Sequence, residues 1–101
     1  MKVIYCTANV ERKEEFIENL DEREVENYQI YDRVLAKSGQ GRPRMDNPVW
    51  PGHNFSAFIQ IDDSGKIDQV KNMVKKMNSN AQTENEKISC FVWPIEDFVF
   101  G

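Results

Sequence analysis

Two segments of this chain carry apolar residues at helical spacing, and each lies between runs of β-forming residues. In the first, Val10, Phe16, Ile17 and Leu20 form a modest stripe through a helix predicted to run from a cap at Asn9 to about position 24. Asn9 can accept from the first free amides, and Glu11, Glu14 and Glu15 fall early, where the helix dipole favours acids. In the second, Ile67, Val70, Val74 and Met77 recur at intervals of 3, 4 and 3 through a helix predicted over about 66–77, after the turn "DDSG". The bracketing runs are "KVIYCT" (2–7), "NYQIYDRVLAK" (27–37), "NFSAFIQID" (54–62) and "KISCFVW" (87–93), all rich in β-branched and aromatic residues. In the third run Phe55, Ala57, Ile59 and Ile61 share one face, while Ser56, Phe58 and Gln60 share the other.

The order is therefore β-α-β-β-α-β. Two split βαβ units with right-handed crossovers give one antiparallel four-stranded sheet with both helices on one face. The predicted class is α+β, a ferredoxin-like sandwich, and 101 residues suffice for one such domain. The second sheet face is left bare, with Phe58 and several residues of the second strand on it. An apolar patch of that size calls for other copies of the chain, in a closed ring. The apolar tail, with Ile95, Phe98, Val99 and Phe100, is expected to cover an edge of the same surface.

Composition removes several classes of function. The 40% apolar and 30% charged fractions are those of a globular protein, and no run approaches the roughly 18 apolar residues of a membrane span. The N-terminal stretch lacks the apolar block of a signal peptide. A formal net charge of −4 argues against general nucleic-acid binding. Cys6 and Cys90 each lie within an apolar strand, which favours buried free thiols over a disulfide and a cytoplasmic location.

One segment fits neither helix nor strand. "SGQGRPRMDNPVWPGHN", residues 38–54, joins the second and third strands and holds three of the five glycines, three of the four prolines and the only histidine. A hairpin needs about two to five residues, so most of this loop is surplus to folding. Gly39 and Gly41 flank Gln40 and let the backbone approach a ligand. Arg42 and Arg44 supply two planar forks suited to phosphate or carboxylate, and Pro43 stiffens the chain between them. In "WPGH", Pro51 and Gly52 suit a type II turn, with Trp50 as its anchor or as a stacking surface. Lys37, Arg42 and Arg44 make a basic cluster in an acidic protein, and Lys87 reaches towards it from the base of the last strand. A solvated loop with scattered charges would share this composition, but long loops on rigid scaffolds usually bind something. Residues 38–47 are expected to be mobile without ligand, and 48–54 to be held by the proline-rich turn. Replacing both arginines by alanine is expected to spare folding and weaken anion binding by roughly 2–5 kcal/mol.

This loop, the "FSAFIQID" that follows it and the closing "KISCFVWPIEDFV" resemble the PII-like signal-transduction proteins, the group of the nitrogen regulatory PII proteins. The element order agrees across nearly the whole chain. The resemblance implies a homotrimer that binds an adenine nucleotide or another small anionic effector in clefts between subunits. It also implies that the loop, the family's T-loop, contacts a regulated partner such as a membrane transporter or an enzyme. On that basis Gly39, Gln40, Gly41, Arg42, Arg44 and Lys87 are the expected ligand-binding residues. Lys37, Trp50 and His53 are the expected partner-facing ones. The family's phosphate loop, Thr-Gly-x-x-Gly-Asp-Gly-Lys, corresponds here to "NAQTENEK" (80–87), which keeps Thr83 and Lys87 but has no glycine and adds two glutamates. Glutamates there repel phosphate, which counts against the family's usual mode of holding ATP. The loop has no tyrosine for nucleotidylation, and the tail lacks the family's arginines.

Two other classes compete. A small ferredoxin-like monooxygenase or isomerase would have to use His53, Asp46 and Tyr5 or Tyr31, and one histidine without a placed partner is a poor base. A CutA-like metal-handling trimer would use His53 with Met45, Cys6 or Cys90, yet neither CxxC nor HxxxH occurs. No catalytic residue and no metal ligand is assigned.

Overall fold

A computed structural model describes residues 1–39 and 41–100. The four strands are β1 (Lys2–Asn9), β2 (Tyr28–Val34), β3 (Asn54–Ile61) and β4 (Ser89–Pro94). The helices are α1 (Lys13–Glu22) and α2 (Ser64–Ser79). The strands form one sheet in the order β2-β3-β1-β4, and every neighbouring pair is antiparallel. Both helices pack on one face. This is the ferredoxin-like arrangement expected from the element order.

The ends of the elements shift for local reasons. Asn9 does cap, its Oδ1 accepting from the Glu11 amide at 3.0 Å, but a tight 3-10 turn at Val10–Arg12 precedes the regular helix. α1 ends two residues early, and Glu24 adopts φ +55° so that the chain can turn and bury Val25. α2 starts earlier than the apolar stripe suggests, because Asp63 Oδ1 accepts from the Gly65 and Lys66 amides at 2.7 and 3.3 Å. β2 stops at Val34 and not at Lys37. Its partner β3 begins only at Asn54, opposite Val34, and the ladder between them is irregular from Tyr31 onward. Beyond that point Ala36 pairs with Arg44 of the loop itself.

The core lies between the sheet and the helices. Ile4, Cys6 and Ala8 of β1 and Phe55, Ala57, Ile59 and Ile61 of β3 meet Phe16 and Leu20 of α1. From α2 come Ile67, Val70, Met73, Val74 and Met77. Phe16 and Phe55 are fully buried with ring centroids 5.3 Å apart and planes tilted by 60°. Phe55→Ala is expected to lower the unfolding free energy by about 3–5 kcal/mol. A urea titration should show a lower midpoint at an unchanged slope.

The other sheet face has no helix over it. Register places Tyr5 opposite both Phe58 and Phe91, and Val3 opposite Trp93, so these side chains share that face with Tyr31. Tyr31, Phe91 and Trp93 are 49%, 53% and 44% exposed, which makes this an open aromatic patch. From β2, however, Tyr28 and Ile30 turn to the core and only Tyr31 joins the patch. The tail does not cover this surface in the single chain: Phe98, Val99 and Phe100 remain exposed. Among the described residues, no helix is long and apolar enough to cross a membrane.

Candidate functional site

The sheet register brings three distant segments to one end of the molecule. Asn9 at the end of β1 pairs with Asn54 at the start of β3, and Thr7 pairs with Ser89 at the start of β4. The 38–54 loop, the entry to α1 and the connector before β4 therefore meet there. Arg12 ties two of them, donating through Nη1 to the Glu86 carbonyl (3.2 Å) and through Nη2 to that of Met77 (3.3 Å).

Arg44 joins the loop to both neighbours. Its backbone exchanges two hydrogen bonds with Ala36, at 2.9 and 2.7 Å. Its Nη1 donates to Asn54 Oδ1 at 2.9 Å, and its Nη2 donates to the Asn85 carbonyl. Asn54 is buried and is itself fixed by donating from Nδ2 to Thr7 Oγ1 at 3.2 Å. Partial burial pulls the Arg44 guanidinium below its ordinary value, and Glu11 pulls the other way. It stays charged, as arginine does in proteins, and among the described residues two of its five N–H donors are engaged by side-chain hydrogen bonds.

Asn85 completes the junction. Its Oδ1 accepts from the Arg42 amide at 2.8 Å. Gly41 passes so close that a Cβ on it would lie 2.6 Å from the same oxygen, and its φ is +85°. Gly41→Ala is thus expected to cost about 1–3 kcal/mol and to speed exchange of the Arg42 amide. Gly39, with open space around its would-be Cβ, should accept alanine with little effect.

Further out, the loop is tied to itself. The Met45 and Asn47 amides donate to the Trp50 carbonyl at 3.0 and 3.2 Å, and that of Asp46 donates to the Gly52 carbonyl at 2.9 Å. Asn47 Oδ1 accepts from the Val49 and Trp50 amides, and Arg33 Nε meets Asp46 Oδ2 at 2.8 Å. From Arg42 onward the loop backbone is hydrogen-bonded, and hydrogen exchange is expected to be slower there than at Gly39. Gly52 takes φ +85°, the left-handed backbone its turn requires. Trp50 anchors this turn through its backbone, and the residue remains 41% exposed.

Two clefts open on either side of Arg44. One, of about 500 Å³, is lined by Arg44, Lys87, Glu84, Thr7, Asn54 and Phe91 among others. The other, of about 280 Å³, is lined by Arg42, Arg44, Asn9, Trp50, Pro51 and Asn85. Lys87 Nζ is 2.8 Å from Glu84 Oε1, in an exposed pair.

Of the residues expected from the sequence, Arg42, Arg44, Trp50 and Lys87 line these clefts, and Gly41 lies against Asn85. Lys37 and His53 line neither; His53 contributes its carbonyl, which accepts from the Val10 amide at 3.1 Å. Gln40 lies outside the described residues. Asn54, Asn85 and Thr7 were not legible as site residues, because only the register and the loop crossing bring them to Arg44. Among the described residues, no three histidine, cysteine, aspartate or glutamate side chains group as metal ligands would.

No protein-family model matches the chain, and no curated protein matches it in sequence. Solved structures do match its fold. CPII, a nitrogen regulatory PII-like protein from Thiomonas intermedia K12 bound to ADP, AMP and bicarbonate, aligns with TM-score 0.70 at 13% identity. That alignment covers 91% of this chain and 82% of CPII. CPII bound to ADP, AMP and acetate gives TM-score 0.67 at 14% identity, over 90% and 81%. A PII-like signalling protein from Thermus thermophilus gives 0.58 at 13%, over 91% and 83%. The chain has the PII-like fold.

Proposed function

We propose that this PII-like chain is a regulatory protein that binds a small anionic effector in the clefts around Arg44 and reports it to a partner protein through the 38–54 loop. The observation that carries this reading is Arg44 itself. One guanidinium is locked between the core strand (Asn54) and the connector (Asn85), faces both clefts and, among the described residues, has N–H donors beyond the two these partners take. An anion there would touch the loop, the connector and the sheet together. Lys87 adds a second cation at small cost, since an exposed pair such as Lys87–Glu84 contributes only about 0–1 kcal/mol. CPII binds ADP, AMP, bicarbonate and acetate, which are anions of the size these clefts admit.

Three copies would close the aromatic face into a homotrimer, and the clefts would lie at its subunit boundaries. At the loop tip Met45, Val49 and Trp50 are exposed apolar side chains, suited to a partner such as a membrane transporter or an enzyme. The protein would act by binding and not by turnover, in the cytoplasm, where its two free cysteines fit a reducing compartment. Three of the four groups an enzyme would need are engaged elsewhere: Asp46 by Arg33, the Tyr5 hydroxyl by Ser56 at 2.8 Å and that of Tyr31 by Gln29 at 3.0 Å.

Thermal unfolding measured with AMP, ADP, ATP, bicarbonate and acetate tests the reading. One of the smaller anions should raise the midpoint, and ATP should rank below ADP because Glu84 and Glu86 stand on the connector. No shift with any of them would contradict it.

A further inference from the structure

The two cysteines are far apart in sequence, yet they face each other directly across β1 and β4: Cys6 is the register partner of Cys90. Both side chains point to the helix side of the sheet, where Cys6 is fully buried and Cys90 is half-buried against the core. Directly opposed residues in an antiparallel ladder have Cα atoms about 4.5–5.5 Å apart, inside the roughly 4.4–6.8 Å window that a disulfide spans. Cys90 also lines a pocket of about 300 Å³ together with Lys71, Lys75, Val74, Asn78, Ile88 and Val92. Both thiols are free.

We propose that Cys90 and Cys6 form a redox-active dithiol, with Cys90 as the attacking thiol and Cys6 as the resolving one, oxidised by a small disulfide that carries carboxylates. The lysine-flanked pocket fits such an oxidant, and reactive thiols sit in partly exposed, electropositive surroundings of this kind. A hydrogen bond from Cys6 lowers the Cys90 thiol below its ordinary value, and Lys71 adds to this against the effect of burial. The same contact and burial raise Cys6, which keeps its proton until it acts.

The chemistry is two exchanges. The Cys90 thiolate attacks one sulfur of the oxidant; a mixed disulfide forms and one small thiolate leaves. Cys6 then attacks the Cys90 sulfur, the internal S–S bond forms, and the second small thiolate leaves with the Cys6 proton. Two protein thiols have lost two electrons, and one small disulfide has become two small thiols.

The full-length protein, first reduced and then incubated with excess oxidised glutathione, provides the test. Peptide mapping by mass spectrometry should find a Cys6–Cys90 linkage, no retained glutathione and loss of both alkylatable thiols, all reversed by dithiothreitol. Cys6→Ala should keep glutathione on Cys90. Cys90→Ala should lose all reaction, because Cys6 has no exposed surface. Glutathione retained on wild-type Cys90, a bond between two Cys90 residues of separate chains, or no reaction at all would each overturn the proposal. The wild-type map decides even if a variant fails to fold.

Discussion

Arg44→Ala is expected to abolish effector binding and also to destabilise the fold by roughly 2–3 kcal/mol. Two charge-assisted hydrogen bonds disappear at once, and Asn54 Oδ1 is left as a buried acceptor without Arg44. The figure stays near the value of one good charged bond because water can reach the Asn85 carbonyl once the side chain is gone. Arg42→Ala is the contrast. Arg42 is exposed, and only its backbone amide is tied to Asn85, so stability should stay within about 0.5 kcal/mol of the parent. The two arginines look equivalent in the sequence, where replacing both is expected to spare folding; the structure corrects this for Arg44. Urea denaturation of the two single variants separates them. Equal stabilities would mean that Arg44 does not hold the loop to the sheet.

A second large effect is expected from the aromatic face. Placing acids at both Phe91 and Trp93 should reduce the proposed trimer to a single chain, because burying an unpaired carboxylate at an interface costs several kcal/mol. The monomer should remain folded, since both side chains are about half exposed in the isolated chain and the core lies on the opposite face. Light scattering at micromolar concentration reads the result directly. A wild-type mass below three chains, or a double variant still trimeric, would remove the trimer and the subunit-boundary position of the clefts.

Legibility in the sequence followed the range of the interactions. Alternation along β3 and the 3-4-3 spacing in α2 are local periodicities, and they predicted the buried residues Phe55, Ala57, Ile59, Val70 and Met77 directly. The element order then restricted the topology to very few choices. Boundaries were less legible wherever a distant partner decides them. β-formers continue through position 37, but β2 ends at Val34 because β3 has no residue to offer beyond Asn54. The residues lining the proposed site were unevenly legible. Arg42, Arg44, Trp50 and Lys87 stand out in the sequence as charged or aromatic groups in or beside a loop longer than a hairpin needs, but that Arg44 also ties this loop to the sheet does not show there. Asn85 carries no such mark, and its role comes from lying under Gly41 and Arg44 after the loop has crossed to the connector. The Cys6–Cys90 pairing depends in the same way on the register of β1 with β4, which no single-strand pattern reveals.

In the proposed site a small anion is held between Arg44 and Lys87. Lys87 offers the cleanest probe, because its only described partner is the exposed Glu84 and its removal should leave the fold intact. The measurement is calorimetric titration of wild type and Lys87→Ala with ADP, AMP and bicarbonate. For whichever anion binds the wild type, Lys87→Ala should weaken the affinity roughly 10- to 150-fold, the equivalent of one charged hydrogen bond of about 1.5–3 kcal/mol. An unchanged affinity in the folded variant would place the anion elsewhere, away from Arg44 and Lys87.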